Sequence, residues 1–481
     1  MKNLLIVVFI ALILRLTFFE NNSLWLDELF SLDFSSPLKS LNKVIKLTLE
    51  DVHPPLYQLL LWIWLKLFGY TEFVAQLLSV FFGTLVVITS YFFTKEFYNK
   101  NIALAVSLIF STNIFLIFYS QEVRSYQLTV IFAMLSFLYF YKTLISQKAI
   151  NLFLYWLFTI LWIYTHYFSF FMILCQLIFI IIYFMFIEKE KRLIKNTLFS
   201  IIVFTIAILP LLPYILNASN ADKFNFISTP SILYFIEYIH YYFGRGGIFF
   251  VLLGTLLTLY FSLTIKLEKK EKVFLLILFT WVFFGFLLPY IKSVLSSPLV
   301  SPRYFIIMIP PIVLLSIFGI TKLNKKLQIS IFILFMAFTC KVLFFDKKEL
   351  FLKHQYKQVL QYVSKYNSVP IYELIASNGH NKHNTNHFQV YSDILDLNLK
   401  IKDDTSFSKD LDEKNLPSCF WTIYTYFSPT LENIEEVLKI YKIDSNKELK
   451  IVHKKTFHGS QAILLSNSYD KECKNILTNK E

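Results

Sequence analysis

Long blocks of apolar residues recur along the first 345 positions of this chain, and some of them, such as Ile201–Leu216 and Phe274–Tyr290, contain no charged residue at all. A soluble domain spreads its apolar residues by amphipathic period around one core. Here 56% of 481 residues are hydrophobic and they are gathered into runs. Runs of this length, repeated, read as membrane spans, and no soluble alternative could bury them. The opening run Leu4–Phe19 has the position of a signal peptide. It lacks a small-residue cleavage site before Trp25, however, and Arg15 interrupts it late. It reads as a retained first span with Lys2 on the inner side.

The net charge of +13 is unevenly placed. Asp346–Glu481 holds 19 Lys and Arg against 18 Asp and Glu, an excess of one, so the other twelve positive charges lie in residues 1–345. That distribution speaks for membrane topology and against a nucleic-acid partner. Basic clusters occur at Lys95/Lys100, Lys142/Lys148, Lys189–Lys195, Lys266–Lys272 and Lys322–Lys326. All become cytoplasmic if the N-terminus is inside and Leu56–Phe68 does not cross. That segment is too short for a bilayer that needs ~20 residues, and it carries Lys66, Trp62 and Trp64. It reads as a helix lying in the outer interface. A second such helix precedes it, with Leu38, Leu41, Val44, Ile45 and Leu49 at helical spacing.

The predicted fold is therefore a polytopic α-helical membrane protein of about eleven spans. The predicted spans are 4–19, 73–94, 102–119, 126–142, 151–165, 168–187, 197–216, 248–265, 273–291, 304–320 and 327–345. The expected division is a membrane domain at 1–345 and a small extracytoplasmic α/β domain at 346–481. The tail's alternation predicts helices at Leu352–Lys365, Asn386–Leu395 and Leu431–Ile440, and strands at Val369–Ala376, Ser418–Tyr424, Leu449–Thr456 and Gln461–Leu465. Cys175 and Cys340 sit in apolar runs as small hydrophobes. Cys419 and Cys473 are able to pair if the tail is extracytoplasmic, and the four cysteines have no metal-ligand spacing. His380, His383 and His387 share helical spacing and read as a solvated face.

With this topology the unusual polar residues collect on one face. The first outer loop holds Trp25-Leu26-Asp27-Glu28 and His53-Pro54-Pro55-Leu56. The next hold Ser120–Tyr126, with Glu122 and Arg124, and Thr165-His166-Tyr167. Gly244-Arg245-Gly246-Gly247 and Ser301-Pro302-Arg303-Tyr304 follow. Acids, His and Arg at the ends of apolar spans are costly unless paired or functional. Glycosyl transfer needs these types. An acceptor hydroxyl needs a carboxylate as general base, and a phosphate leaving group is stabilised by Arg. A carboxylate pair is also suited to a divalent metal.

At these residues the chain resembles the C-type glycosyltransferase superfamily, on its protein O-mannosyltransferase-like and aminoarabinose-transferase-like bacterial branch. The resembling pieces are Trp25–Glu28, His53–Leu56 and the helix after it, Gly69–Phe73, Tyr119–Tyr126, Thr165–Phe168 and Arg303–Pro310. The resemblance implies inverting transfer of a hexosyl or pentosyl group from a polyprenyl-phosphate donor at the outer face, to a glycolipid, cell-envelope glycan or protein acceptor. It implies a multi-pass protein of the cell membrane, with its N-terminus cytoplasmic. Asp27 is the expected general base, with Glu28 and Glu122 as further catalytic candidates. His53, Arg124, Tyr126, His166, Tyr167, Arg303 and Tyr304 are expected to bind substrate. If a divalent metal takes part, Asp27, Glu122 and His53 are the candidates to hold it. The rival readings are a transporter or flippase of lipid-linked glycans, and a glycan polymerase or ligase. A transporter favours charge at mid-span, and here the span centres are nearly charge-free. Polymerases and ligases use outer-loop Arg clusters in place of an early Asp-Glu pair.

Overall fold

The structure, a computed structural model, describes residues 2–17, 23–50, 53–146, 148–187, 191–219, 229–296, 298–346, 353–366, 369–375, 386–413, 415–425, 450–466 and 473. Its helices up to residue 341 are α1 (Lys2–Thr17), α2 (Leu26–Phe34), α3 (Leu41–Glu50), α4 (Leu56–Phe68), α5 (Glu72–Lys95), α6 (Lys100–Thr112), α7 (Ile114–Tyr119), α8 (Tyr126–Ser146), α9 (Ala149–Ile163), α10 (Ser169–Phe186), α11 (Lys191–Ile208), α12 (Leu212–Ser219), α13 (Tyr234–Thr264), α14 (Lys269–Leu295), α15 (Ile309–Thr321) and α16 (Lys325–Lys341). Each apolar run read as a span is helical. Among the described residues, eight helical segments are long and apolar enough to cross a membrane. The protein is a multi-pass membrane protein. Helix α4 has 13 residues, as its sequence predicts.

Three spans differ from the simple reading. Residues 102–119 are not one helix. Asn113, at φ −64° and ψ 118°, ends α6 and caps α7, its Oδ1 accepting the Leu116 N–H at 2.9 Å. Residues 197–216 break at a 3-10 turn over Leu209–Leu211, where Pro210 removes a donor. Gly244–Gly247, which the sequence reading set ahead of the 248–265 span, lies inside α13, which kinks at Gly244 with φ +68°. A Cβ on Gly244 would also press on Val342, so both backbone and space call for glycine there.

The chain forms two compact units. The first comprises Met1–Phe19, Pro37–Trp64 and Gln76–Phe351. Within it α13 and α15 cross at small residues. A Cβ on Gly254 would lie 2.6 Å from the Ser316 backbone, and one on Gly319 would strike the Thr258 N. The Gly319 N–H donates to Thr258 Oγ1 at 2.8 Å, and Thr258 Oγ1 donates to the Leu315 carbonyl. Small residues let membrane helices approach where hydrocarbon offers no hydrophobic drive. The crossing fixes α15, whose leading turn carries Arg303 and Tyr304.

The second unit comprises Glu20–Ser36, Leu65–Ala75 and Leu352–Glu481. It therefore takes in two stretches of the first loop besides the predicted tail domain. Its sheet runs β2-β1-β3-β5-β4, with β1 (Ile371–Ile375), β2 (Ile401–Lys402), β3 (Cys419–Thr425), β4 (Lys450–Phe457) and β5 (Ser460–Ser466). Strand β1 is parallel to β2 and β3, while β5 is antiparallel to β3 and β4. Tyr372, Leu374, Phe420, Tyr424, Ile463 and Leu465 pack with Phe407 as its core. The predicted strands and the helices at Tyr356–Val363 and His387–Ile394 are present, and a further helix at Asp404–Asp412 was not foreseen. Leu431–Ile440, His380 and His383 lie outside the described residues. His387 is on no solvated face. It is buried, with its ring 4.2 Å from that of Phe30. Cys419 and Cys473 form a disulfide.

Candidate functional site

In the first unit, four of the segments singled out in the sequence come together. The Leu56 N–H donates to the Tyr164 carbonyl at 2.9 Å, which ties the His53-Pro54-Pro55 entry of α4 to the turn that carries His166. Arg124 Nη2 and His53 Nε2 are 2.6 Å apart. A guanidinium only donates, so His53 Nε2 accepts, and the His53 proton is on Nδ1. The Phe168 N–H donates to His166 Nδ1 at 3.2 Å, which leaves the His166 proton on Nε2. The rings of His166 and Tyr304 lie 5.4 Å apart, and the Arg303 guanidinium stacks 5.3 Å from the Tyr304 ring centre.

Electrostatics bind the group more closely. Burial lowers the His166 pKa from 6.5 to about 3, with further contributions from neighbouring His53 and from the Arg124 and Arg303 guanidiniums. His166 is thus a neutral imidazole in a cationic setting. Tyr119 lies within electrostatic reach of Glu122, Tyr126, Arg303 and Tyr304, and its ring is 5.0 Å from that of Tyr126. Glu122, Arg124, Tyr126 and His166 are all buried. Arg124 and Arg303 bring two guanidiniums to this cluster against the one carboxylate of Glu122, an excess of positive charge suited to an anion with phosphate geometry. Tyr167, named with them, stacks on Phe170 at 5.9 Å.

The 120–126 segment is held from below by Arg15. Its guanidinium is fully buried inside α1 and donates to the carbonyls of Ala11, Ser111 and Phe110 at 3.1, 3.2 and 3.3 Å. The last two close the C-terminal turn of α6, where a cation offsets the negative end of the helix dipole. The Arg15 carbonyl in turn accepts from Gln121 Nε2 at 2.7 Å. Sequence reading noticed Arg15 only as an interruption. A charge within a span was the available signal.

In the second unit, Asp27 and Glu28 occupy the first turn of α2, where backbone N–H groups favour acids. They are placed differently. Asp27 is half-buried, whereas Glu28 is fully enclosed. Glu28 Oε2 accepts from the Trp25 N–H at 3.2 Å and from Lys353 Nζ at 3.1 Å. Lys353 was invisible to sequence reading, because its partner lies 325 positions away.

Among the described residues no group of three or more His, Cys, Asp or Glu side chains is close enough to hold a metal ion. The His53 part of the expected metal set does not fit. Its Nε2 lone pair already accepts the Arg124 guanidinium, and a second cation would be repelled there.

A bundle of membrane helices, short helices in the first loop and a small sheet unit together have the fold of the C-type glycosyltransferases, and the resemblance drawn from the sequence is borne out. Residues 52–216 match the family model for dolichyl-phosphate-mannose-protein mannosyltransferase. The structure is similar to ArnT from Cupriavidus metallidurans in the apo state, with a TM-score of 0.62 at 11% identity over 96% of this chain and 97% of that one. The same protein bound to undecaprenyl phosphate matches with a TM-score of 0.59 at 11% identity, over 97% of this chain and 98% of that one. The archaeal oligosaccharyltransferase AglB from Archaeoglobus fulgidus, in complex with an inhibitory peptide and a dolichol-phosphate, matches with a TM-score of 0.53 at 11% identity. That match covers 88% of this chain and 69% of the other. No curated protein matches the chain by sequence.

Proposed function

We propose that this chain is an inverting glycosyltransferase that moves a sugar from a polyprenyl-phosphate-linked donor to an acceptor hydroxyl at the outer face of the membrane. The observation that carries the reading is the convergence of Arg124 and Arg303 on neutral His166, with Glu122, Tyr126 and Tyr304, in a fold of this class. The two similar proteins were solved with undecaprenyl phosphate and with a dolichol-phosphate, which supports a polyprenyl-phosphate donor here.

In this reaction Asp27 takes the acceptor's proton as its oxygen bonds to the anomeric carbon. The bond from that carbon to the phosphate oxygen breaks on the opposite side, and polyprenyl phosphate leaves with the electron pair. Arg124 and Arg303 stabilise the charge that collects on the leaving phosphate. His53 orients Arg124 by accepting from it. His166 offers its Nε2–H as a neutral donor, and Glu122 fixes the polar end of the cluster beside Tyr119 and Tyr126. Glu28 serves as a support for α2, and the base is Asp27 alone. The acceptor class is a glycolipid, an envelope glycan or a protein, and the sugar a hexose or pentose.

The Cys419–Cys473 disulfide supports an extracytoplasmic second unit, since disulfides persist in oxidising compartments. An impermeant maleimide tests the orientation. A cysteine placed at exposed Lys455 should react in intact cells, and labelling only after lysis would reverse the topology. The test of function is release of polyprenyl phosphate from lipid-linked sugars extracted from native membranes, with the purified protein in nanodiscs. Asp27-dependent release is expected. Movement of lipid-linked sugar across a bilayer without release would support the transporter reading.

A further inference from the structure

We propose that Lys353 is a positioning residue for catalysis: its ammonium, closed against Glu28, sets the first turn of α2 and so the aim of Asp27. The inference rests on the reading of Asp27 as the base, and it gives the C-terminal part of the chain a role in the chemistry.

The Lys353 and Glu28 side chains are 5% and 0% exposed. Such burial leaves Lys353 no open surface on which to meet a substrate. A buried ion pair is weak evidence for added stability, because the cost of removing both charges from water offsets their attraction. Its more specific effect is geometric. One oxygen, Glu28 Oε2, receives both the Lys353 ammonium and the Trp25 N–H. The ammonium therefore pins the residue that starts the helix. With Glu28 turned inward, Asp27, one residue earlier and ~100° around the helix, stays half-exposed.

The neighbouring contacts point the same way. The Lys357 N–H donates to Ser23 Oγ at 2.8 Å, and the Leu24 N–H donates to Tyr391 Oη at 2.9 Å. Tyr391 donates in turn to Glu72 Oε1 at 3.0 Å, and Glu72 Oε2 holds Lys357 Nζ at 2.9 Å. The strand-like lead into α2 is thus bonded to the tail at two successive residues, and its first turn at a third point. Of these contacts, only the Lys353–Glu28 pair acts on the residue next to Asp27.

The test uses full-length protein in nanodiscs with undecaprenyl phosphate as the binding probe and extracted lipid-linked sugars as donor. Lys353→Met should lower turnover on the order of 100-fold, the loss expected of a base displaced by about 1 Å. Its KM for donor and its affinity for undecaprenyl phosphate should stay within twofold, and Lys353→Arg should restore most of the turnover. Ile463→Ala, in the sheet core, is the stability control. It should lower the melting temperature and keep turnover within twofold at a permissive temperature. If Lys353→Met does not reach the membrane, Lys353→Gln is read by the same criteria. Turnover that falls no further than in Ile463→Ala, or donor affinity that falls in step with it, overturns the inference. Equal turnover by wild type and Asp27→Asn would instead remove the base assignment on which the inference stands.

Discussion

The polar cluster of the span bundle and the acid-bearing turn of α2 differ in sign and in how they are held. The cluster is cationic, built from Arg124 and Arg303 with His53 and His166, on the segments that lead into helices. It is buttressed by Arg15 beneath the 120–126 segment and by the close crossing that seats α15. The α2 turn is acidic, sits on a short helix, and is kept in place by bonds to residues more than 300 positions away. The difference teaches a division of labour. Recognition of a phosphate needs fixed positive charge, which rigid spans can supply. Proton abstraction needs one aimed carboxylate, and a short helix can present one only if something else holds it.

That comparison breaks if the two regions fail separately from how they are built. The largest effect should come from Asp27→Asn. Turnover should fall ~10³-fold, the middle of the range for a lost general base, while undecaprenyl phosphate still binds as tightly. A parallel fall in binding would dissolve the distinction. Arg124→Gln and Arg303→Gln should each weaken undecaprenyl phosphate binding by about 10- to 100-fold, the worth of one charge-assisted bond, read by titration in nanodiscs. An unchanged affinity for either would take that arginine out of the phosphate site.

Smaller effects sharpen the account of support. Arg15→Met strips two α6 carbonyls of their buried donor. It should cost about 1–3 kcal/mol per group left unsatisfied, seen as a lower melting temperature in detergent, with Arg15→Lys between it and wild type. The smallest effect is on pH. The folded His166 stays neutral down to about 3, while an unfolded histidine takes up a proton near 6.5. Its depressed value thus gives stability that is full above 6.5 and declines as pH falls from there toward 3. His166→Phe should flatten the loss of melting temperature between pH 7.5 and pH 5. A slope equal to wild type would place the acid sensitivity elsewhere.

Much of the fold was legible because spans announce themselves locally. The charge-free runs became helices within a few residues of their predicted bounds, and Leu56–Phe68 was recognised as too short to cross. The tail's alternation gave four of its five strands and missed the two-residue β2, and Asp404–Asp412 lacked an apolar face strong enough to read as a helix. The breaks inside spans were harder. Asn113 follows Ser111 and Thr112 in an otherwise apolar run and Gly244 opens Gly-Arg-Gly-Gly, and neither pattern by itself says that the helix stops or bends there.

What the sequence determined by itself was membership in a class. Hydrophobic runs of bilayer length must be helices in lipid, because every backbone group there has to bond within its own segment. It also supplied the inventory of charged residues at span ends. The tertiary structure decided which of them meet. His53 finds Arg124 across 71 positions and Glu28 finds Lys353 across 325. It also separated Asp27, the first choice on paper, from Glu28, the second, by enclosing Glu28 and leaving Asp27 half-exposed. A pairing between remote residues has no local signature, since its energy exists only once the chain between them has folded.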